Sequence, residues 1–177
     1  MANGFVGMNR YVALLRAVNV GGTGKLPMSI LREMCVQEGF ENVRTHITSG
    51  NAVFRSAESE RHVQAALETR LQTYAGKPVG VVVRSAEELE GVLARNPFAD
   101  KPGNRTVVLF VDEPLSPAAL EDIKGRKQEE LRIGLREIFI FYGCGMANSR
   151  LRIPAAKNGT ARNMNTVAKL VEMARTV

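Results

Sequence analysis

The sequence of 177 residues contains no tryptophan, two cysteines, two histidines and only 6% aromatic residues. Each shortage excludes something. RNA-recognition domains stack bases on aromatics of two central strands, and so few aromatics leave few platforms. His46 and His62 stand alone, without metal-ligand spacing to Cys35 or Cys144, so neither a metal nor a cofactor is expected. No apolar run reaches the ~20 residues of a membrane helix. The opening "MANGFVGMNR" lacks the charged and apolar regions of a secretory signal. The expected setting is therefore the cytoplasm, with both cysteines as thiols. Cys35 falls on an apolar helical stripe, and Cys144 stands exposed between two glycines. There is no G-x-S-x-G and no paired-carboxylate signature. Acids are missing altogether from residues 143–171.

Basic residues are plentiful. The net charge is +6, and its distribution is uneven. Residues 1–55 contribute +3, residues 56–140 contribute −2, and residues 141–177 contribute +5. A positive field at both ends of the chain favours an anionic partner, because it steers phosphates and acids. The plain alternative is a basic protein without a nucleic-acid ligand.

Periodicity gives the elements. "YVALLRAVNV", residues 11–20, reads as a buried strand. After a glycine-rich loop, Pro27 opens a helix carrying Met28, Leu31, Met34 and Cys35, with Gly39 as its stop. "VRTHIT" and "AVFRS" form a hairpin about "SGN". A helix from near Ser59 buries Val63, Ala66, Leu67, Leu71 and Tyr74, and "VGVVVR" is another strand. That order, β-α-β-β-α-β, is the ferredoxin-like unit. A linking helix follows near 86–95, with Ser85 and Glu88 as a capping box. "RTVVLFVD" starts a second half. "SPAALEDIKG" reads as a short helix capped by Ser116, and "EELRI" with "REIFIFYG" as a hairpin about Gly134. A final helix spans about Arg162 to Ala174, burying Met164, Val167, Ala168 and Val171. The expected class is α+β with two ferredoxin-like halves, βαββαβ then βαββα, the second lacking its last strand. The expected divisions are residues 8–84, a linking helix and loop at 85–104, and 105–177.

Three segments carry the candidate site. "VNVGGTGKLPM", residues 18–28, invites comparison with a phosphate loop. A Walker A motif would need glycine where Asn19 stands and a hydroxyl where Leu26 stands. What remains is Gly21 and Gly22 amides, Lys25 as a cation and a helix N-terminus just beyond, a general anion site. The alternative is a flexible strand-to-helix connection. "TSGN", residues 48–51, is a turn that offers Ser49 and Asn51 as donors. In the last helix Arg162, Thr166 and Lys169 are spaced to share one face, with Asn165 alongside. Asn163 and Thr166 are also candidates for backbone capping at the helix start.

Taken together, "YVALLRAVNVGGTGKLPMSILREMCVQEGFENVRTHITSGNAVF", "REIFIFYGCGMANSRL" and "TARNMNTVAKLVEMA" resemble a widespread, mainly bacterial family of uncharacterised proteins, domain-of-unknown-function family 1697. Ala17 stands where that family often has glycine, and Met164 where it often has tryptophan. The resemblance implies a cytoplasmic α+β protein of ferredoxin-like halves and supplies no activity. It nominates Arg16, Asn19, Gly21, Gly22, Lys25, Ser49, Gly50, Asn51, Arg162, Asn163, Asn165 and Thr166.

The function expected is binding of a phosphate-bearing or other anionic ligand, a nucleotide-like molecule or nucleic acid, by the glycine loop and the basic C-terminal helix. One alternative is a small enzyme on an anionic substrate, oriented by Asn and Ser side chains. It lacks a base unless His46 or Cys144 lies beside the glycine loop. Another is an interaction module pairing through a sheet edge.

Overall fold

A computed structural model describes residues 7–19 and 24–177. The chain divides into two compact units, Met1–Leu89 with Leu170–Val177, and Glu90–Lys169. Each holds one four-stranded antiparallel sheet, so the fold is mixed α+β.

In the first unit the elements are β1 (Asn9–Leu15), α1 (Met28–Gln37), β2 (Glu41–His46), β3 (Asn51–Ser56), α2 (Glu60–Ala75) and β4 (Val81–Ser85). The sheet order is β2-β3-β1-β4. β1 is central, pairing Tyr11 with Phe54 on one side and with Ser85 on the other. One face of its pleat places Tyr11, Ala13 and Leu15 in a core with Leu31, Cys35, Phe54, Val63, Leu67 and Leu71. The residues between, Val12 and Leu14, are equally buried. A strand buried on both faces reads as an unbroken apolar run, which is why this one was legible. It is shorter than residues 11–20, however. The Leu15 and Arg16 amides donate to the carbonyls of Gly50 and Gly80, each at 2.8 Å. Beyond them Ala17 and Asn19 take left-handed φ values of 50° and 54°, which no strand tolerates. Caps behave as expected. Ser59 Oγ accepts from the His62 amide at 3.2 Å, and Ser85 Oγ from the Glu88 amide at 3.1 Å as the chain enters α3 (Ala86–Ala94).

The second unit's sheet contains β5 (Thr106–Phe110), β6 (Glu130–Ile133), β7 (Glu137–Phe141) and β8 (Thr160–Asn163), in the order β6-β7-β5-β8, and α4 (Met164–Ala174) follows. Here several expectations are corrected. The half does not lack its last strand: β8 pairs along β5, with Arg162 opposite Val108. Its inward positions are Thr160 and Arg162, so no apolar alternation announces it. The final helix consequently starts at Met164, with Arg162 and Asn163 in the strand, and Ala168 faces solvent. The expected helix after Ser116 shrinks to one 3₁₀ turn, Pro117–Leu120, and Ser116 makes no side-chain cap. A non-local pairing wins there. Lys124 and Arg152 exchange backbone hydrogen bonds of 3.0 and 2.8 Å, which draws the chain out of helical geometry.

Candidate functional site

A cleft of the first unit lies where β1 and α2 end and β4 begins. It encloses about 500 Å³, and its lining includes Arg16, Lys25, Lys77 and Tyr74 above Leu26, Leu71 and Val79. No carboxylate side chain is among its described lining residues. The fold assembles it from chain ends. Arg16 follows the last pair of β1 and rests its stem against Gly80, where an added Cβ would meet its Cβ and Cδ at 3.6 Å. Gly76 ends α2 in the left-handed region, its amide donating to Gln72 O at 2.9 Å, and Lys77 follows at once. Tyr74 is 48% exposed, and its hydroxyl donates to Lys25 O at 3.5 Å. Six residues earlier on α2, Glu68 is occupied: its carboxylate accepts from the Val81 amide at 3.1 Å. Among the described residues neither Lys25 nor Lys77 takes part in an ion pair.

The glycine loop and the S-G-N turn do meet, through Asn19. Its Nδ2 donates to Leu26 O at 2.9 Å and to Thr48 O at 2.8 Å, and its Oδ1 accepts from the Leu26 amide at 2.6 Å. One side chain thus pins both ends of the loop to the turn. Gly21 and Gly22 lie outside the described residues. Gly50 has φ 86°, and a Cβ there would stand 2.6 Å from Val18 Cγ2 and 2.8 Å from Leu15 Cβ, so only glycine fits. Asn51 is fully buried, with Nδ2 donating to His46 O at 2.8 Å and to Ser49 Oγ at 3.1 Å. His46 closes β2 and does not line the cleft. Asn19 therefore holds the backbone next to Lys25, and Asn51 holds the turn between His46 and Ser49.

The third segment belongs to the second unit, where its residues part company. Arg162 is 7% exposed, and burial brings its guanidinium down to about 10. It stays charged at neutral pH, with Nη1 donating to Thr160 Oγ1 and to Ala161 O, both at 2.8 Å. Asn163 Oδ1 accepts from the Thr166 amide at 2.9 Å and caps α4. Asn165 Oδ1 abuts Gly103, leaving no room for a Cβ there. Lys169 is exposed on α4. The shared helix face of Arg162, Thr166 and Lys169 is not formed, because Arg162 is a strand residue.

Periodicity placed Tyr74 in the buried stripe of α2, and nothing singled out Lys77. The available signal was local: a tyrosine one turn past Leu71, on the last helical turn, with a lysine three residues on.

A smaller cavity of the second unit, about 210 Å³, gathers Cys144, Tyr142, Glu129 and Ser149. Cys144 Sγ donates to Gln128 Oε1 at 2.6 Å. The Glu129 carboxylate accepts from the Ser149 hydroxyl and the Lys127 amide, which holds it below the ordinary carboxylate range. Burial pushes Tyr142 up. Cys35, in the first core, is pushed up to about 12 by burial, with the Glu38 charge adding to it. Among the described residues no helix is long and apolar enough to cross a membrane.

Residues 8–139 match the family described as protein of unknown function (DUF1697). The chain belongs to that family. The matched span includes every described residue of the 500 Å³ cleft and stops short of β8 and α4. This DUF1697 chain is also similar to a solved structure, the conserved bacterial protein SP0830 from Streptococcus pneumoniae. The two are 28% identical, with a TM-score of 0.78, over 95% of this chain and 99% of that one. No curated protein matches the chain.

Proposed function

We propose that the cleft of the first unit binds a small phosphate-bearing or other anionic molecule. The observation that carries this reading is the lining itself: Arg16, Lys25 and Lys77 converge on one concavity without an acid among them. A protein does not gather like charges around an empty space for stability, since their mutual repulsion is unfavourable. Lys77 has a second task, offsetting the negative C-terminal end of α2. The apolar floor lowers the local dielectric and strengthens each contact. Arg162 drops out of this reading because its guanidinium is buried and hydrogen-bonded within β8.

The same proposal takes each half as a variant of the ferredoxin-like unit. What supports it is the element order β-α-β-β-α-β of the first unit and the matching strand order of the second, in which 3₁₀ turns replace helices. It takes the cytoplasm as the setting, in keeping with two free thiols.

Titration of the full chain with pyrophosphate, followed by calorimetry, tests the reading. Binding should weaken about tenfold or more in Lys25→Ala/Lys77→Ala, because a hydrogen bond to a charged group contributes about 1.5–3 kcal/mol. Lys169→Ala should leave it unchanged. Equal affinity in the wild type and the double variant would defeat the proposal.

A further inference from the structure

An anion alone does not account for the cleft. Inorganic phosphate needs cations and amides, yet this lining also presents Tyr74, Leu71, Pro78 and Val79. Tyr74 is one of few large apolar side chains left substantially exposed, at 48%. Its ring lies on the same face of α2 as Leu71, one turn away. A flat apolar body beside a negative group is what such a surface accommodates.

Size and the number of aromatics narrow the ligand further. The volume of about 500 Å³ falls within the roughly 300–1,000 Å³ that holds a single small molecule. A single strand of nucleic acid is bound differently, by a groove that tracks the backbone and by successive aromatics, one per stacked base. Here one ring lines the described cleft. We infer that the ligand is a mononucleotide, its phosphate among Arg16, Lys25 and Lys77 and its base against the ring of Tyr74. This rests on the anion reading of the same cleft and adds the base to it.

The experiment separates the two. AMP, GMP, CMP, UMP and ribose 5-phosphate are titrated calorimetrically into the full chain as wild type, Tyr74→Ala, Tyr74→Phe and Lys25→Ala/Lys77→Ala, each checked for native circular dichroism. At least one nucleotide should bind about tenfold tighter than ribose 5-phosphate, the scale of one base stacked on an aromatic ring. Tyr74→Ala should erase that advantage and leave ribose 5-phosphate unchanged. Tyr74→Phe should keep it, since it loses only the bond to Lys25 O and retains the ring. If every nucleotide binds no better than ribose 5-phosphate, or the advantage survives Tyr74→Ala, the base contact is overturned and the anion reading stands. If no probe binds, or binding ignores Lys25→Ala/Lys77→Ala, both fall. A single-stranded oligonucleotide that outbinds every mononucleotide, and loses this in the lysine variant, would also overturn the inference in favour of a strand.

Discussion

Ala17 holds a backbone angle that favours glycine. Its φ of 50° lies in the left-handed region, and the residue is exposed, so no packing offsets the strain between Cβ and the following carbonyl. That strain costs roughly 1–2 kcal/mol. Glycine removes it, at the expense of a more flexible unfolded chain. Ala17→Gly should therefore stabilise the protein by about 0.5–1 kcal/mol, read as a higher denaturant midpoint at unchanged slope; a lower midpoint would show that the turn is not strained. Asn19, two residues on, has a similar φ of 54° and escapes the problem differently. Asparagine tolerates this region, and its amide makes three hydrogen bonds there. Asn19 and Asn51 were nominated from the sequence as parts of a ligand site. Polar side chains and small residues at a turn look alike whether they bind a ligand or hold the chain, because both uses require exposed donors and unusual backbone. The structure assigns the bonds, and for Asn19 and Asn51 they run inward.

At the scale of elements, α4 owes its start to Asn163. The last strand and the last helix are continuous in sequence, and the cap marks where one becomes the other. Asn163→Ala leaves the Thr166 amide without its acceptor and should cost about 1 kcal/mol, whereas Asn163→Asp should retain most of the stability. Thermal unfolding of the two variants checks this, and an equal loss in both would refute the cap. The first unit was legible almost strand by strand because its elements declare themselves locally. β1 is apolar from Tyr11 to Leu15, and α2 opens on a capping serine and closes on a left-handed glycine. In the second unit the deciding interactions are distant in sequence. "TARN" is a strand because β5 offers it a ladder. "SPAALEDIKG" fails as a helix because Lys124 pairs with Arg152. Its candidate helix was also too short to hold its shape alone, since helix nucleation is unfavourable and few bonds follow.

For the molecule as a whole, the question is whether the proposed anion binding would belong to a site or to a diffuse field. A net charge of +6 attracts any polyanion, with a dependence on salt that follows the number of charges neutralised. Charge counted by segment pointed to the two ends of the chain. It concealed Lys77, which comes from the middle stretch of net −2 and reaches the cleft only through the turn after α2. Conversely Arg162, from the most basic segment, is buried. A field and a site respond differently to the same change. Lys25→Ala/Lys77→Ala removes two of 24 basic residues, so retention on a heparin column, which samples the whole surface, should shift only slightly. Pyrophosphate affinity should fall about tenfold or more in the same variant, because two of the three cations facing the cleft are gone. Proportionate losses in both measurements would mean that the lysines act only as members of the surface field, and that the cleft concentrates no charge of its own.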